Sequence, residues 1–305
     1  MTQYAYFRGR VVPIDEANIS VRTQAIHYGT SCFGALRGYW NEDQEQLYVF
    51  RPHDHYRRFL DSAKLLMMTL PFHPDDLVEV TRILLQKEGW REDVYIRPLA
   101  YKSGEVISCQ LHDVEDEFAL FSLPYGSYLQ EDKGARLMIS SWCRLGDNTI
   151  PPRGKIGGAY ASSALAKSDA LLKGFDEALL LDGEGHVAEG SAENVFILRQ
   201  GIAVTPSVSS SILEGITRRT VIELLTRALG IPVQERAVDR TEIYLADEAF
   251  LCGTGAQIVP VTSVDSYDIG SGTAGAITMK LRDLYSDVVR GAVTEYTSWC
   301  LPIYA

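Results

Sequence analysis

The chain has 305 residues, 46% of them hydrophobic, with a formal net charge of -11; it is long enough for one large or two medium globular domains, and its acidic balance leaves no basic surface to neutralise a nucleic-acid backbone. The first residues show no basic segment leading into an apolar run, and nowhere do eighteen apolar residues run together, so neither an export signal nor a membrane span is expected. The cysteines Cys32, Cys109, Cys143, Cys252 and Cys300 are widely spaced, with no C-x-x-C pair and no His/Cys cluster at zinc spacing, which argues against a metal site and fits reduced thiols in the cytoplasm.

In chain order, residues 4–12 read as two short strands around a glycine turn. A helix is expected over 54–68, where Tyr56, Phe59, Leu60, Ala63 and Leu66 recur at spacings of three and four, and Pro71 lies just beyond it. A second helix starts near Asp75 and Asp76, acids suited to a first turn, and runs through Leu77, Val80, Ile83 and Leu84 to Gly89. Residues 93–100 and 117–123 are strand-like. The polar, glycine-containing stretch 124–134 reads as a linker between two α/β domains, 1–123 and 135–305.

The second half opens with a strand at 136–142. Residues 159–173 form an Ala-, Ser- and Leu-rich helix closed by Gly174. Strands follow at 177–181 and 195–198, with Asp182-Gly183 a hairpin signal. A helix is expected over 217–229, strands at 233–236, 248–252 and 258–264, and a last helix at 274–290.

Among the lysines, only Lys155 has glycine on both sides within three residues and no carboxylate nearby to mark a solvated helix surface. A lysine wrapped in glycine can be approached closely by a planar cofactor. Downstream, the buried-looking Glu189 in Val187-Ala188-Glu189-Gly190 could hold a pyridine nitrogen protonated, and the pair suggests pyridoxal 5'-phosphate. The glycines could equally mark a turn with a solvated lysine. A phosphate needs oriented amides, hydroxyls and a guanidinium, most readily at a helix start. Leu213-Glu214-Gly215-Ile216-Thr217 reads as such a start, with an ordinary N-cap threonine as the alternative. The small-residue loop Cys252-Gly253-Thr254-Gly255-Ala256 can also bring amides to an anion. Arg58 shares a helix face with Asp54 and Ser62, where a solvated arginine is the usual outcome.

Taken in order, these segments resemble the class IV aminotransferases, the fold shared by branched-chain aminotransferases, D-amino acid transaminases, (R)-selective amine transaminases and aminodeoxychorismate lyases. The likeness runs through Ile26-His27-Tyr28-Gly29, Tyr95-Ile96-Arg97-Pro98, Glu189-Gly190-Ser191-Ala192-Glu193-Asn194, Gly215-Ile216-Thr217-Arg218 and Gly253-Thr254. It implies a two-domain fold type IV α/β (α+β) architecture, with a small N-terminal α/β domain, a larger C-terminal one and pyridoxal phosphate at their interface.

By the same resemblance Lys155 is the Schiff-base lysine and Glu189 the partner of the ring nitrogen. Tyr160 meets the phenolic oxygen and Leu213 packs on the ring. Arg58, Gly215, Ile216, Thr217, Gly253 and Thr254 surround the phosphate. Tyr95-Ile96-Arg97-Pro98 points to the branched-chain branch. There Phe33, Tyr95, Tyr125 and Tyr128 form an apolar and aromatic pocket, Arg97 pairs the distal carboxylate of glutamate, and Thr254, Gly255 and Ala256 offer amides to the α-carboxylate. Tyr28 is expected to reach in from a neighbouring subunit of a homodimer, itself able to assemble further.

The implied activity is transamination between a branched-chain L-amino acid and 2-oxoglutarate. Where branched-chain enzymes usually read Phe-Glu-Gly-Ile-Arg, this chain reads Phe33-Gly34-Ala35-Leu36-Arg37. The lost acid keeps an (R)-selective amine or D-amino acid transaminase as the competing reading, with a lyase acting on aminodeoxychorismate behind it.

Overall fold

The computed structural model describes residues 3–126 and 134–304. They sort into two compact units: Met1–Gly126 with Gly154–Ala159 and Asp287–Ala305, and Ser127–Arg153 with Tyr160–Ser286. A cut in chain order at 124–134 therefore differs from the structure at two places, the lysine-bearing loop and the C-terminal residues. The physical reason for the second is strand pairing: Cys300–Pro302 lies antiparallel to Gln46–Phe50 inside the first unit.

The first unit holds an eight-stranded sheet in the order Cys300–Pro302, Gln46–Phe50, Leu36–Asn41, Val94–Lys102, Asp116–Pro124, Tyr4–Phe7, Arg10–Pro13, with Ser31–Phe33 also on Val94–Lys102. Tyr4–Phe7 and Arg10–Pro13 form the hairpin expected around Gly9, where Arg8 and Gly9 both take positive φ, as a tight hairpin turn demands. The two anticipated helices are Pro52–Leu65 and Pro74–Glu88. Each has proline in its first turn, where no amide hydrogen is needed. The second starts on a His73–Asp76 capping box and stops at Gly89 in the left-handed conformation. The first ends at Leu65, three residues short of the expected 68, because Met67 has already turned to φ +52. Tyr56, Phe59, Leu77 and Leu84 are buried on the inward faces of these helices.

In the second unit a nine-stranded mixed sheet runs Val187–Gly190, Glu177–Leu181, Ala135–Cys143, Gln257–Val264, Glu248–Gly253, Asn194–Arg199, Ile202–Thr205, Val233–Glu235, with Tyr267–Asp268 on Gln257–Val264. Ala135–Cys143 and Glu177–Leu181 are parallel, and the helix Tyr160–Leu172 packs on both. Leu137 and Leu179 enter one core, while Met138, Ala178 and Leu180 meet Ala166 and Ala170 of that helix. Burial on both faces accounts for the near-continuous apolar runs of these strands. The helix expected over 217–229 is Ile216–Glu223 followed by a π-type turn, Leu224–Ala228.

Candidate functional site

In the first unit, the loop Gly154–Ala159 is tied to two other elements through Lys155. The Lys155 amide donates to Ser62 Oγ at 3.0 Å, and Ser62 Oγ donates to the Arg58 carbonyl at 2.8 Å. The Lys155 carbonyl accepts from the Phe33 amide at 3.0 Å, next to a bridge between Cys32 and Ile156. Gly158 donates to the Gly29 carbonyl at 3.1 Å, and a Cβ on Gly29, whose φ is +67, would stand 2.9 Å from Gly158 Cα. Glycine is needed there by close approach and by backbone conformation together.

Lys155 is 8% exposed and its Nζ lies 5.1 Å from the centre of the Phe33 ring. The Arg97 guanidinium is 4.5 Å from that same ring and donates to the Tyr95 hydroxyl at 2.9 Å. Tyr95 and Tyr125 have ring centroids 5.0 Å apart. Phe33, Tyr95, Arg97, Tyr125 and Lys155 are thus one cluster, with Arg58 half-buried on the adjoining helix. Arg97 Nε is buried without a hydrogen-bond partner among the described residues. Tyr28, 38% exposed, ends the short helix Gln24–Tyr28. Tyr128 lies outside the described residues.

The second unit holds the carboxylate. Glu189 is 5% exposed in the strand Val187–Gly190. Its Oε1 is 2.6 Å from Arg144 Nη2, and its Oε2 accepts from Asn194 Nδ2 at 3.0 Å and from the Leu213 amide at 3.1 Å. Such donors favour the ionised form of a carboxyl. Asn194 Nδ2 also donates to the Leu213 carbonyl at 3.0 Å, and a Cβ on Gly215 would run into Asn194 Oδ1. The segment 213–215 is thereby folded against the acid. Gly215 is the N-cap of Ile216–Glu223 with no side-chain cap, so the N-cap threonine alternative is set aside: Thr217 sits inside the first turn, 4% exposed, and Ile216 is 6% exposed. The first amides of that helix have no partners within it.

Gly253 ends one strand and pairs with Gln257, leaving Thr254, Gly255 and Ala256 as the turn between antiparallel neighbours. Tyr160 begins the helix Tyr160–Leu172 and is half-buried. A buried carboxylate backed by a guanidinium, a glycine-lined approach at 215 and a bare helix start suit a planar cationic ring bearing an anionic arm. Arg144, Ser62 and the role of Asn194 were missed in the sequence. Arg144 has no local signature, since it acts through a strand that is distant in the chain.

Residues 37–264 match the model of the family described as amino-transferase class IV. A probable branched-chain-amino-acid aminotransferase of Aquifex aeolicus is 48% identical over 99% of this chain and 97% of its own length. The branched-chain amino acid aminotransferase of Thermobaculum terrenum, solved in its PLP-form, has a TM-score of 0.95 at 41% identity and covers 100% of this chain and 99% of its own. The branched-chain aminotransferase of Thermoproteus uzoniensis, solved with norvaline, also reaches 0.95, at 38% identity, with 100% of both chains covered.

Proposed function

The chain belongs to the class IV aminotransferase family, and from that premise we propose that it moves the amino group of a branched-chain L-amino acid (leucine, isoleucine or valine) to 2-oxoglutarate with pyridoxal 5'-phosphate as cofactor. Whole-length likeness to branched-chain enzymes supports this reading. The observation that carries it in the site is the aromatic cluster of Phe33, Tyr95 and Tyr125, with the Arg97 guanidinium lying over Phe33 and Tyr95. One wall of that kind accepts an aliphatic side chain, while the guanidinium accepts the distal carboxylate of glutamate.

When bound, the cofactor supplies an aldehyde carbon and a ring that acts as an electron sink. Lys155 Nζ would take the proton from the substrate Cα and deliver it to the aldehyde-derived carbon, which requires a neutral amine at the moment of abstraction. Glu189 would keep a proton on the ring nitrogen, Tyr160 would donate to the phenolic oxygen, and Leu213 would pack on the ring. Thr217, Thr254, Arg58 and the amides of Gly215, Ile216 and Gly253 would hold the phosphate. The amides of Thr254, Gly255 and Ala256 orient the α-carboxylate.

A homodimer in the cytoplasm, with Tyr28 supplied by the neighbouring subunit, completes the proposal. No helix among the described residues is long and apolar enough to cross a membrane, and all five cysteines are free, as a reducing compartment permits. The test is steady-state transamination with L-leucine, L-isoleucine, L-valine, D-leucine and (R)-1-phenylethylamine as donors to 2-oxoglutarate. The three L-amino acids are expected to dominate; turnover confined to the D-amino acid or the amine would overturn the proposal.

A further inference from the structure

Behind Glu189 lies a buried acid cluster that the chemistry above does not use. Glu177, Glu189 and Glu193 are 0%, 5% and 4% exposed. Lys167 Nζ stands 2.6 Å from Glu177 Oε2 and also donates to the Asp176 carbonyl at 2.7 Å. Arg144 Nη2 stands 2.6 Å from Glu189 Oε1. Glu193 forms no ion pair among the described residues; its Oε2 accepts from the Ala192 amide at 3.1 Å and folds back over Gly190, where an added Cβ would lie 2.8 Å from it. Two cations thus each claim one carboxylate, and the third acid, just beyond the turn from Glu189, is left without one.

We propose that Arg144 is a positioning residue for the transamination: its guanidinium assigns the buried negative charge to Glu189, the carboxylate that faces the ring nitrogen, and leaves the proton on Glu193. The proposal rests on the role given to Glu189 above. A buried carboxylate without a cation keeps its proton, because desolvation penalises the charged form. Burial first, and then the Glu177 charge, accordingly push the Glu193 carboxyl up to about 8. Which acid is ionised is therefore set by where the cations stand. Removing Arg144 takes the guanidinium from Glu189, and the Asn194 and Leu213 donors to it are neutral, so the preference for ionising it over Glu193 is lost. A carboxylic acid at 189 cannot hold a cationic N–H. Arg144 is itself fixed: its amide donates to the Leu181 carbonyl at 2.8 Å and its Nε to the Ser211 carbonyl at 3.3 Å. A lysine at 144 keeps the charge but lacks the planar fork that reaches Glu189 and the Ser211 carbonyl from separate nitrogens.

The test is infrared absorption of protonated carboxyls in the purified holoenzyme. Glu193→Gln is expected to remove one such band and Glu189→Gln none. In an Arg144→Met background, Glu189→Gln is expected to remove one. The kcat of Arg144→Met falls about 10- to 100-fold, the range found when a residue that orients a functional ligand is lost, with KM little changed, and Arg144→Lys recovers part of it. Loss of a band on Glu189→Gln in the parent enzyme, or full kcat in Arg144→Met, overturns the proposal. Should Arg144→Met fail to fold, the parent comparison still decides. A chain that takes up no pyridoxal phosphate sinks the functional reading, and the infrared bands of that same chain judge the charge assignment on its own.

Discussion

Glu189 is held by three donors from three different places in the sequence, Arg144, Asn194 and the Leu213 amide. A glutamine there keeps the shape and loses the charge. Glu189→Gln is predicted to retain cofactor while kcat drops by about 100-fold, close to 2.7 kcal/mol of barrier, measured by single-turnover kinetics beside an absorbance titration of the cofactor. Unchanged turnover would remove Glu189 from the chemistry. Gly215 is constrained differently. Its missing side chain makes room for Asn194 Oδ1, so Gly215→Ala pushes Asn194 off both Glu189 and the Leu213 carbonyl. The expected result is at least a roughly tenfold weaker cofactor Kd, about 1.4 kcal/mol, with the fold intact by circular dichroism.

At the level of elements, the helix Pro52–Leu65 matters because it presents Ser62 to the Lys155 amide. The turn that ends it is anchored by a buried ion pair. Lys102 Nζ, on a residue 1% exposed, lies 2.8 Å from Asp116 Oδ1 and donates to the Met67 carbonyl at 3.0 Å, while the Thr69 amide donates to Asp116 Oδ2 at 2.9 Å. Asp116→Ala strands an ammonium in the core and is predicted to cost about 3–5 kcal/mol in urea denaturation. The double variant Lys102→Met/Asp116→Leu should recover most of that loss.

The same region shows what a sequence can and cannot reveal. Long amphipathic helices with proline at the start and glycine at the end are marked by periodicity and by caps, and Pro74–Glu88 lies where those marks put it. Gln24–Tyr28, Ser31–Phe33 and Ile202–Thr205 are three to five residues long. They are too short for any period to register, and they exist because neighbouring strands and loops complete their hydrogen bonds. The buried places of Lys155 and Glu189 and the helix start at Gly215 are legible from glycine placement and motif order. The resemblance implies Arg97 as a partner of a substrate carboxylate; its bond to the Tyr95 hydroxyl and its stacking on Phe33 depend on strand register, which composition does not encode.

Across the whole molecule, the units are not consecutive stretches of chain. Residues 154–159 and 287–305 return to the first unit, a connectivity that a polar stretch near 130 cannot announce. Buried charge also gives the fold a pH signature. The Glu193 carboxyl, at about 8 against an ordinary 4.5, binds its proton more tightly folded than unfolded. Its contribution is complete below the unfolded value and is lost as pH rises toward the folded one. The thermal midpoint is therefore predicted to fall between about pH 5 and about pH 8.5 by more in the parent chain than in Glu193→Gln. Equal slopes would place the proton elsewhere.

The most direct test of a branched-chain aminotransferase is the visible band of the bound cofactor, followed on adding L-leucine and, separately, (R)-1-phenylethylamine, with no acceptor present. The prediction is bleaching by L-leucine and restoration of the band by 2-oxoglutarate. Bleaching by the amine alone, or no band even after adding pyridoxal phosphate, would contradict it.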